Sequence, residues 1–317
     1  MEIAITGASG FVGGALVRKH LERGDSIRVL ARDPGAAICR LPSVRAFRGD
    51  LARAETIPAD FVAGADVLYH CAAEIRDERM MEATNVRGTQ ALARLAAGRI
   101  GRWVQVSSAS VYGAVRSGTA TEDSPLQPDS VYGRTKVESE EVVRSAAASG
   151  GFGASILRPS NIFGAGMPSN ALYKLIAAIE RGWFFCIGEP GAVMSYMHID
   201  NVAAAAMLCA THPAAAGRTY NVSDEMPLER LAAIVADELG TSLPALRLPE
   251  APLRMLASVL GFLPGIPLTH RHLDALTARA RYESDRIHNE LAFRPAISFE
   301  TGLRELVRGW KRGRRGG

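Results

Sequence analysis

An α/β fold, a doubly wound parallel sheet followed by a smaller C-terminal lobe, is the fold class that the sequence predicts. Two features carry that prediction. Short apolar runs alternate with amphipathic helical patterns through the first half of the chain, and a glycine-rich turn joins the first run to the first helix. Residues 3–6, 27–31, 44–48, 67–71, 103–107 and 154–157 read as buried strands. Helical periodicity lies between several of them, clearest at 12–22, 82–97 and 131–148. Strand–helix–strand repetition calls for parallel strands, because each crossover needs a helix's length of chain and covers one face of the sheet. Near Pro159 the rhythm breaks into loops and separate helices, at 171–181, 200–211, 228–239, 254–260 and 299–310. This composition suits a lobe that closes over the carboxyl edge of the sheet. No internal repeat or low-complexity linker is present.

With 317 residues, 47% of them apolar and 22% charged, the chain has ample material for a large core. Its formal charge of +4 is small, and part of it lies in Lys311, Arg312, Arg314 and Arg315 at the C-terminus. Aromatic residues make up only 6%, so the basic stripe with stacking rings that nucleic-acid binding needs is missing. Cys39, Cys71, Cys186 and Cys209 are scattered without paired spacing, which argues against a disulfide framework or a metal site and suits a reducing cytosol. The chain opens on a strand-like stretch with no basic-then-apolar leader. The apolar stretch 251–268 is broken by Arg254, Pro264 and Pro267, so it does not read as a membrane span. A cytoplasmic protein is the expectation.

The turn Thr6-Gly-Ala-Ser-Gly-Phe-Val-Gly13 follows the first strand and opens the first helix. Gly7 allows the tight turn, Gly10 lets the backbone approach a pyrophosphate, and Gly13 lets helix and strand pack closely, the logic of a Rossmann-type dinucleotide site. Free N–H groups at the helix start, including those near Phe11 and Val12, would face the phosphates. The second strand ends in Leu30-Ala31-Arg32, where an NAD enzyme usually places a carboxylate for the ribose hydroxyls. The guanidinium of Arg32 instead matches a ribose 2′-phosphate, so NADP is preferred over NAD. Asp50 and Leu51, after the third strand, are placed to reach the adenine edge.

Tyr132-Gly-Arg-Thr-Lys136 sets a phenol and an ammonium on one face of a helix. A phenol with a pKa near 10 is a poor base at neutral pH. A nearby ammonium and an oxidised nicotinamide both favour the phenolate. Ser107-Ser108 ends the fifth strand, so a hydroxyl there can hold a substrate oxygen while Tyr132 exchanges its proton.

These residues resemble the extended short-chain dehydrogenase/reductase family, its epimerase/dehydratase group. The resemblance spans roughly residues 1–225. It includes the glycine turn, His70-Cys-Ala-Ala73, Asn85-Val-Arg-Gly-Thr89, Ser107-Ser-Ala-Ser-Val-Tyr-Gly113 and Tyr132 to Lys136. It continues through Leu157-Arg-Pro-Ser-Asn-Ile-Phe-Gly164, His198-Ile-Asp-Asn-Val202 and Tyr220-Asn-Val-Ser223. By resemblance Ser108, Tyr132 and Lys136 are the catalytic trio, and Ala72, Ala73 and Asn85 line the cofactor cleft. Pro159 would lie by the nicotinamide, Asn161 would reach the substrate's phosphate, and His198 would knit the lobes together. A dinucleotide-binding domain over 1–160 and a substrate lobe over 161–317 are implied, with about 192–225 returning to the first. The family also implies a homodimer through helices 82–97 and 131–148, where Leu92, Leu95, Val142 and Val143 either form the seam or face the sheet.

Two departures narrow the activity. Dehydratases of the group carry a Thr-Asp-Glu-type triplet after the strand-five serine, whereas Ala109-Ser110-Val111 here resembles epimerases and reductases. Nucleotide-sugar epimerases often place an arginine where this chain has Met194, and arginines 271, 279 and 281 are the candidates to replace it. The leading expectation is a nucleotide-sugar 4-epimerase or 4-ketoreductase. A dehydrogenase of a bulky apolar alcohol, such as a sterol or lipid-linked sugar, is the second. A dinucleotide-binding sensor without turnover is the third.

Overall fold

A computed structural model describes residues 1–168, 171–243, 246–260 and 270–315. Its strands are β1 (Glu2–Thr6), β2 (Ser26–Ala31), β3 (Val44–Arg48), β4 (Ala65–His70), β5 (Ile100–Val106), β6 (Ser117–Ala120) and β7 (Gly153–Pro159). After these come β8 (Asn161–Phe163), β9 (Cys186–Ile187), β10 (Val193–His198), β11 (Thr219–Val222), β12 (Asp224–Pro227), β13 (Arg247–Leu248) and β14 (Arg279–Tyr282). Seven of them form one parallel sheet in the order β11-β7-β5-β4-β1-β2-β3. The order reverses between β1 and β4, and in open parallel sheets the crevice beyond that reversal is where ligands settle.

Strands covered on both faces need apolar residues without alternation, and Ile3, Ala4, Ile5, Val67, Leu68 and Tyr69 are all buried. The helices Phe11–Glu22 and Ile199–Thr211 cover one face. Ala203, Ala205, Ala206 and Cys209 are small enough to let the second of these lie close to the sheet. The helices Gly88–Ala96 and Val131–Gly150 cover the other face, with Leu92, Ala96 and Val143 packed among Leu68, Trp103 and Phe152. Each such buried leucine or valine contributes roughly 1.5–3 kcal/mol. Leu92 and Val143 therefore face the sheet, and Leu95 and Val142 lie half-buried at its rim.

The expected single helix over 82–97 is built in two pieces and is preceded by a third. A short turn Glu78–Met81 leads into a π-helical turn Glu82–Arg87, and only Gly88–Ala96 is regular. The Thr89 hydroxyl donates to the Asn85 carbonyl (2.6 Å), giving the widened turn a side-chain partner.

β8, β10 and β12 form a separate sheet in the order β12-β10-β8. The helices Leu228–Leu239 and Phe299–Arg315 pack beside it around Phe163, Tyr196, Phe299 and Leu303. Of the segment 192–225, the helix Ile199–Thr211 and β11 join the large sheet, while β10 belongs to the smaller one. Of the apolar stretch 251–268, residues 261–268 lie outside the described residues, and the helix Glu250–Leu260 precedes them. Among the described residues no helix is long and apolar enough to cross a membrane.

The glycine turn fixes how the first helix meets β1. A methyl group on Gly13 would collide with the Gly7 carbonyl and lie 2.9 Å from the Ala8 Cα, both of them backbone. Gly13→Ala is expected to destabilise the protein by ~1–3 kcal/mol, as overpacking against an unyielding neighbour does. Denaturant unfolding measures this, and an unchanged midpoint would show that the turn yields.

Candidate active site

The site grows from the ends of β1, β4, β5 and β7. Gly7 has φ +70°, and a Cβ there would stand 2.7 Å from the Ala72 nitrogen, so the turn after β1 touches the chain leaving β4. The register sets Thr6 beside His70. The Thr6 oxygen lies 2.6 Å from His70 Nδ1, and His70 Nε2 lies 2.9 Å from the Thr89 hydroxyl, which itself donates to the Asn85 carbonyl. His70 therefore donates from Nε2 and accepts at Nδ1, the neutral tautomer. Burial pushes its pKa down to about 3, with the Lys136 charge acting the same way.

Gly10 caps the first helix in extended conformation, and no side chain bonds the first-turn N–H groups. There is also no acidic residue in that turn. The positive end of the helix thus faces a cavity of about 320 Å³ whose lining includes Gly7, Gly10, Ala31, Arg32, Asp50 and Leu51, together with Ala72 and Ala73. The Asp50 carboxylate is partly engaged, accepting from the Ala52 nitrogen at 3.0 Å and pairing with Arg53 at 3.5 Å. Arg32 is exposed, and its charge acts on the carboxyl of Glu74, another lining residue. Bonds from the backbone N–H groups of Arg76, Asp77 and Ile75 hold that carboxyl below its ordinary range.

A second cavity of about 780 Å³ continues from the first, sharing Gly7, Ser9, Gly10, Cys71 and Ala73. Phe11, Val12 and Gly13 line it on one side, and Ser108, Tyr132, Lys136, Pro159 and Asn161 on another. Together the two make one cleft, with the glycine turn near its middle and the phenol at one end. An open helix terminus, a turn lined by glycines and the small Ser9 side chain, and this elongated shape fit a dinucleotide.

Ser130 starts the helix Val131–Gly150 by accepting from the Gly133 nitrogen at 3.1 Å. One turn on, Lys136 Nζ lies 5.7 Å from the Tyr132 ring centre and donates to the Val106 carbonyl at 2.9 Å. Burial pushes the Tyr132 phenol up to about 12, and a hydrogen bond with Ser108 pulls the other way. Burial pushes Lys136 down to about 8, against the opposing influence of Cys71 and Glu140. The phenol is therefore a proton donor at neutral pH, with a cation at its ring. Such a group can exchange a proton with a substrate oxygen held by Ser108.

Several sequence expectations change. Asn85 lines neither cavity; its amide accepts from the Glu74 nitrogen (2.7 Å) and donates to the Glu74 carbonyl (3.0 Å) and the Thr135 hydroxyl (3.0 Å). It clamps the loop after β4 to the Tyr132 helix, because the π-helical turn directs its side chain inward. Asn161 lines the cleft, but its amide donates to the Ser195 carbonyl at 3.1 Å. Arg279 donates to the Pro190 carbonyl (3.1 Å) and Arg281 pairs with Glu225 (3.7 Å), and neither lines the cleft. The side chain of Arg271 lies outside the described residues. His198 caps the helix Ile199–Thr211 by accepting from the Asp200 nitrogen, and its ring packs edge-on to Phe163.

Glu140 and Arg158, which are not among the site residues expected from the sequence, form a fully buried ion pair at 2.6 Å behind the cleft. The signal was available as a charged residue inside the apolar run of β7 and a carboxylate one turn after Lys136.

The model of the NAD dependent epimerase/dehydratase family matches residues 3–223. The low-salt glycan biosynthesis protein Agl12 of Haloferax volcanii is 31% identical over 249 residues, covering 73% of this chain and 79% of that protein. A 4-hydroxy-2-methyl-3-oxo-4-farnesyl-3,4-dihydroquinoline-1-oxide ketoreductase of Stigmatella aurantiaca is 32% identical over 72% of this chain and 70% of its own length. Among solved structures, a double mutant of DesIV, a dTDP-glucose 4,6-dehydratase from Streptomyces venezuelae with NAD and DAU bound, superposes with a TM-score of 0.76. It is 27% identical, and the match covers 100% of this chain and 98% of that one.

Proposed function

Since the chain belongs to the NAD-dependent epimerase/dehydratase family, we propose that it is an NAD(P)-dependent 4-ketoreductase or 4-epimerase of a nucleotide sugar. One observation carries the chemistry: Ser108, Tyr132, Lys136 and Pro159 meet in a cleft that runs on to the glycine turn and an open helix N-terminus. The dinucleotide, when bound, supplies or accepts the hydride. Ser108 holds the substrate oxygen, Tyr132 gives or takes its proton, and Lys136 sets a positive charge beside the phenol. Ala109-Ser110-Val111 offers no acid for expelling water, which favours reduction or epimerisation over dehydration. The relatives' names, a glycan biosynthesis protein and a dTDP-glucose dehydratase, support a sugar substrate. The half-buried Val142 lines a groove between Gly88–Ala96 and Val131–Gly150, which supports a homodimer through those helices.

A second reading, a reductase or dehydrogenase of a bulky apolar compound, is favoured by the cleft wall. Ile75, Ile162 and Pro168 line it, Met194 stands where the phosphate-gripping arginine is expected and is buried in the smaller lobe's core, and Arg279 and Arg281 are tied elsewhere. The farnesyl-bearing substrate in one relative's name agrees with that wall. A thermal-shift panel of nucleotide sugars and sterols, followed by turnover assays on the stabilising compounds, separates the readings. A nucleotide sugar is the expected hit, and stabilisation by sterols alone would transfer the assignment to the second reading.

Tyr132→Phe is expected to lower turnover by ~10²–10⁴-fold, because it removes the acid/base group and leaves the ring in place. Dinucleotide affinity should hardly change. A variant retaining more than half the wild-type rate would remove Tyr132 from the mechanism.

The cofactor preference follows from Arg32, which borders the adenosine-end cavity just beyond the neutral Ala31. NADP(H) is expected to bind more tightly than NAD(H), through contacts worth ~1.5–3 kcal/mol each. Arg32→Asp should reverse the order of the two dissociation constants. Tighter NAD binding by the wild type would overturn the assignment.

A further inference from the structure

Resting on the reading of Ser108, Tyr132 and Lys136 as the reacting centre, we propose that Glu140 is its positioning residue, locking the end of β5 to the Tyr132 helix through Ser107 and Arg158. Glu140 is wholly buried. Its Oε1 accepts from the Ser107 hydroxyl (2.5 Å) and Arg158 Nε (2.9 Å), and its Oε2 from Arg158 (2.6 Å) and Arg144 (2.7 Å). Arg158 donates onward to the Tyr112 hydroxyl (2.9 Å), which donates to Asn221 (2.6 Å). The carboxylate thus joins β5's exit, the catalytic helix, β7 and β11 at one point, and the Ser107 nitrogen is itself tied to the Leu157 carbonyl at 2.7 Å. Ser108 is the next residue, so its backbone has little freedom.

Stability alone does not explain such a pair. Taking two charges out of water costs several kcal/mol per ion, and apolar residues of similar volume often serve a core as well or better. What an apolar pair would not provide is a hydroxyl held beside Ser108 and a negative charge one turn from Lys136. Tyr132 and Glu140 face Lys136 from its own helix, His70 and Cys71 from the end of β4, and the Val106 carbonyl from β5. His70 is neutral and burial pushes the Cys71 thiol up to about 12, so Glu140 is the charged carboxylate acting in that group, and it shares its charge with Arg158 from β7 and Arg144 from the next turn of the helix.

The test compares Glu140→Gln with Glu140→Gln/Arg158→Met, the second removing the partner charge that the first strands. Unfolding midpoint, kcat, KM and its pH profile are measured, together with the titration of the Lys136 side chain by NMR in the protein without substrate. Stability is expected to recover in the double variant while kcat stays about 10²-fold low, the effect of an ångström-scale misplacement. In Glu140→Gln the Lys136 titration and the alkaline limb of kcat/KM should both move to lower pH, because Glu140 favours the ammonium, and loss of the Arg158 cation in the double variant should offset part of that shift. A double variant with wild-type kcat, pH profile and Lys136 titration would reduce Glu140 to a packing element and overturn the proposal. So would failure of both variants to fold. If Tyr132→Phe proves fully active, the reading of the centre fails instead, and the Lys136 titration still decides whether Glu140 governs that ammonium.

Discussion

The approach of the turn after β1 to the chain leaving β4 governs the rest of the site. These neighbouring strands run to the same edge and there diverge, β1 into the first helix and β4 into the loop before the Asn85 turn. Gly7 brings the two exits into backbone contact, and the Thr6–His70–Thr89 chain of hydrogen bonds ties them behind that contact. A side chain at Gly7 would push them apart and widen the crevice at its narrowest point. The cleft is elongated because its walls diverge on both sides of this contact, toward β2 and β3 on one side and toward β5 and β7 on the other.

Electrostatics along the Tyr132 helix follow from depth. Residues one turn apart descend from the half-buried phenol at Tyr132 to the buried ammonium at Lys136 and the wholly buried carboxylate at Glu140. Each charge meets an opposite or polar group before water can reach it. The phenol therefore works in a setting where a small change of nearby charge is felt strongly, since the low dielectric screens little.

Elements whose signal is local were legible in the sequence. The apolar runs of β1 to β5, the glycine turn and the Tyr132–Lys136 spacing all follow from periodicity or from steric need, and the structure places Ser108, Tyr132, Lys136 and Pro159 on one cavity. Information held in side-chain direction was not legible. Asn85 reads as a lining residue until the π-helical turn rotates it toward Glu74. Arg279 and Arg281 are plausible anion grips until β14 pairs with β6 and carries them away from the cleft. Arg158 interrupts an apolar strand for a reason visible only when Glu140 arrives from a helix 18 positions earlier in the chain.

The loop that Asn85 clamps has neighbours at both ends of the cleft. Glu74 borders the cavity beside Arg32, Ile75 borders the one beside Tyr132, and Asn85 ties Glu74 to Thr135 next to Lys136. The Arg32 end and the Tyr132 end of the cleft are thus mechanically one part. On the proposed reading, exchanging one dinucleotide for another is therefore not a modular change: a substitution at the Arg32 end that re-seats this loop also shifts the wall beside Tyr132.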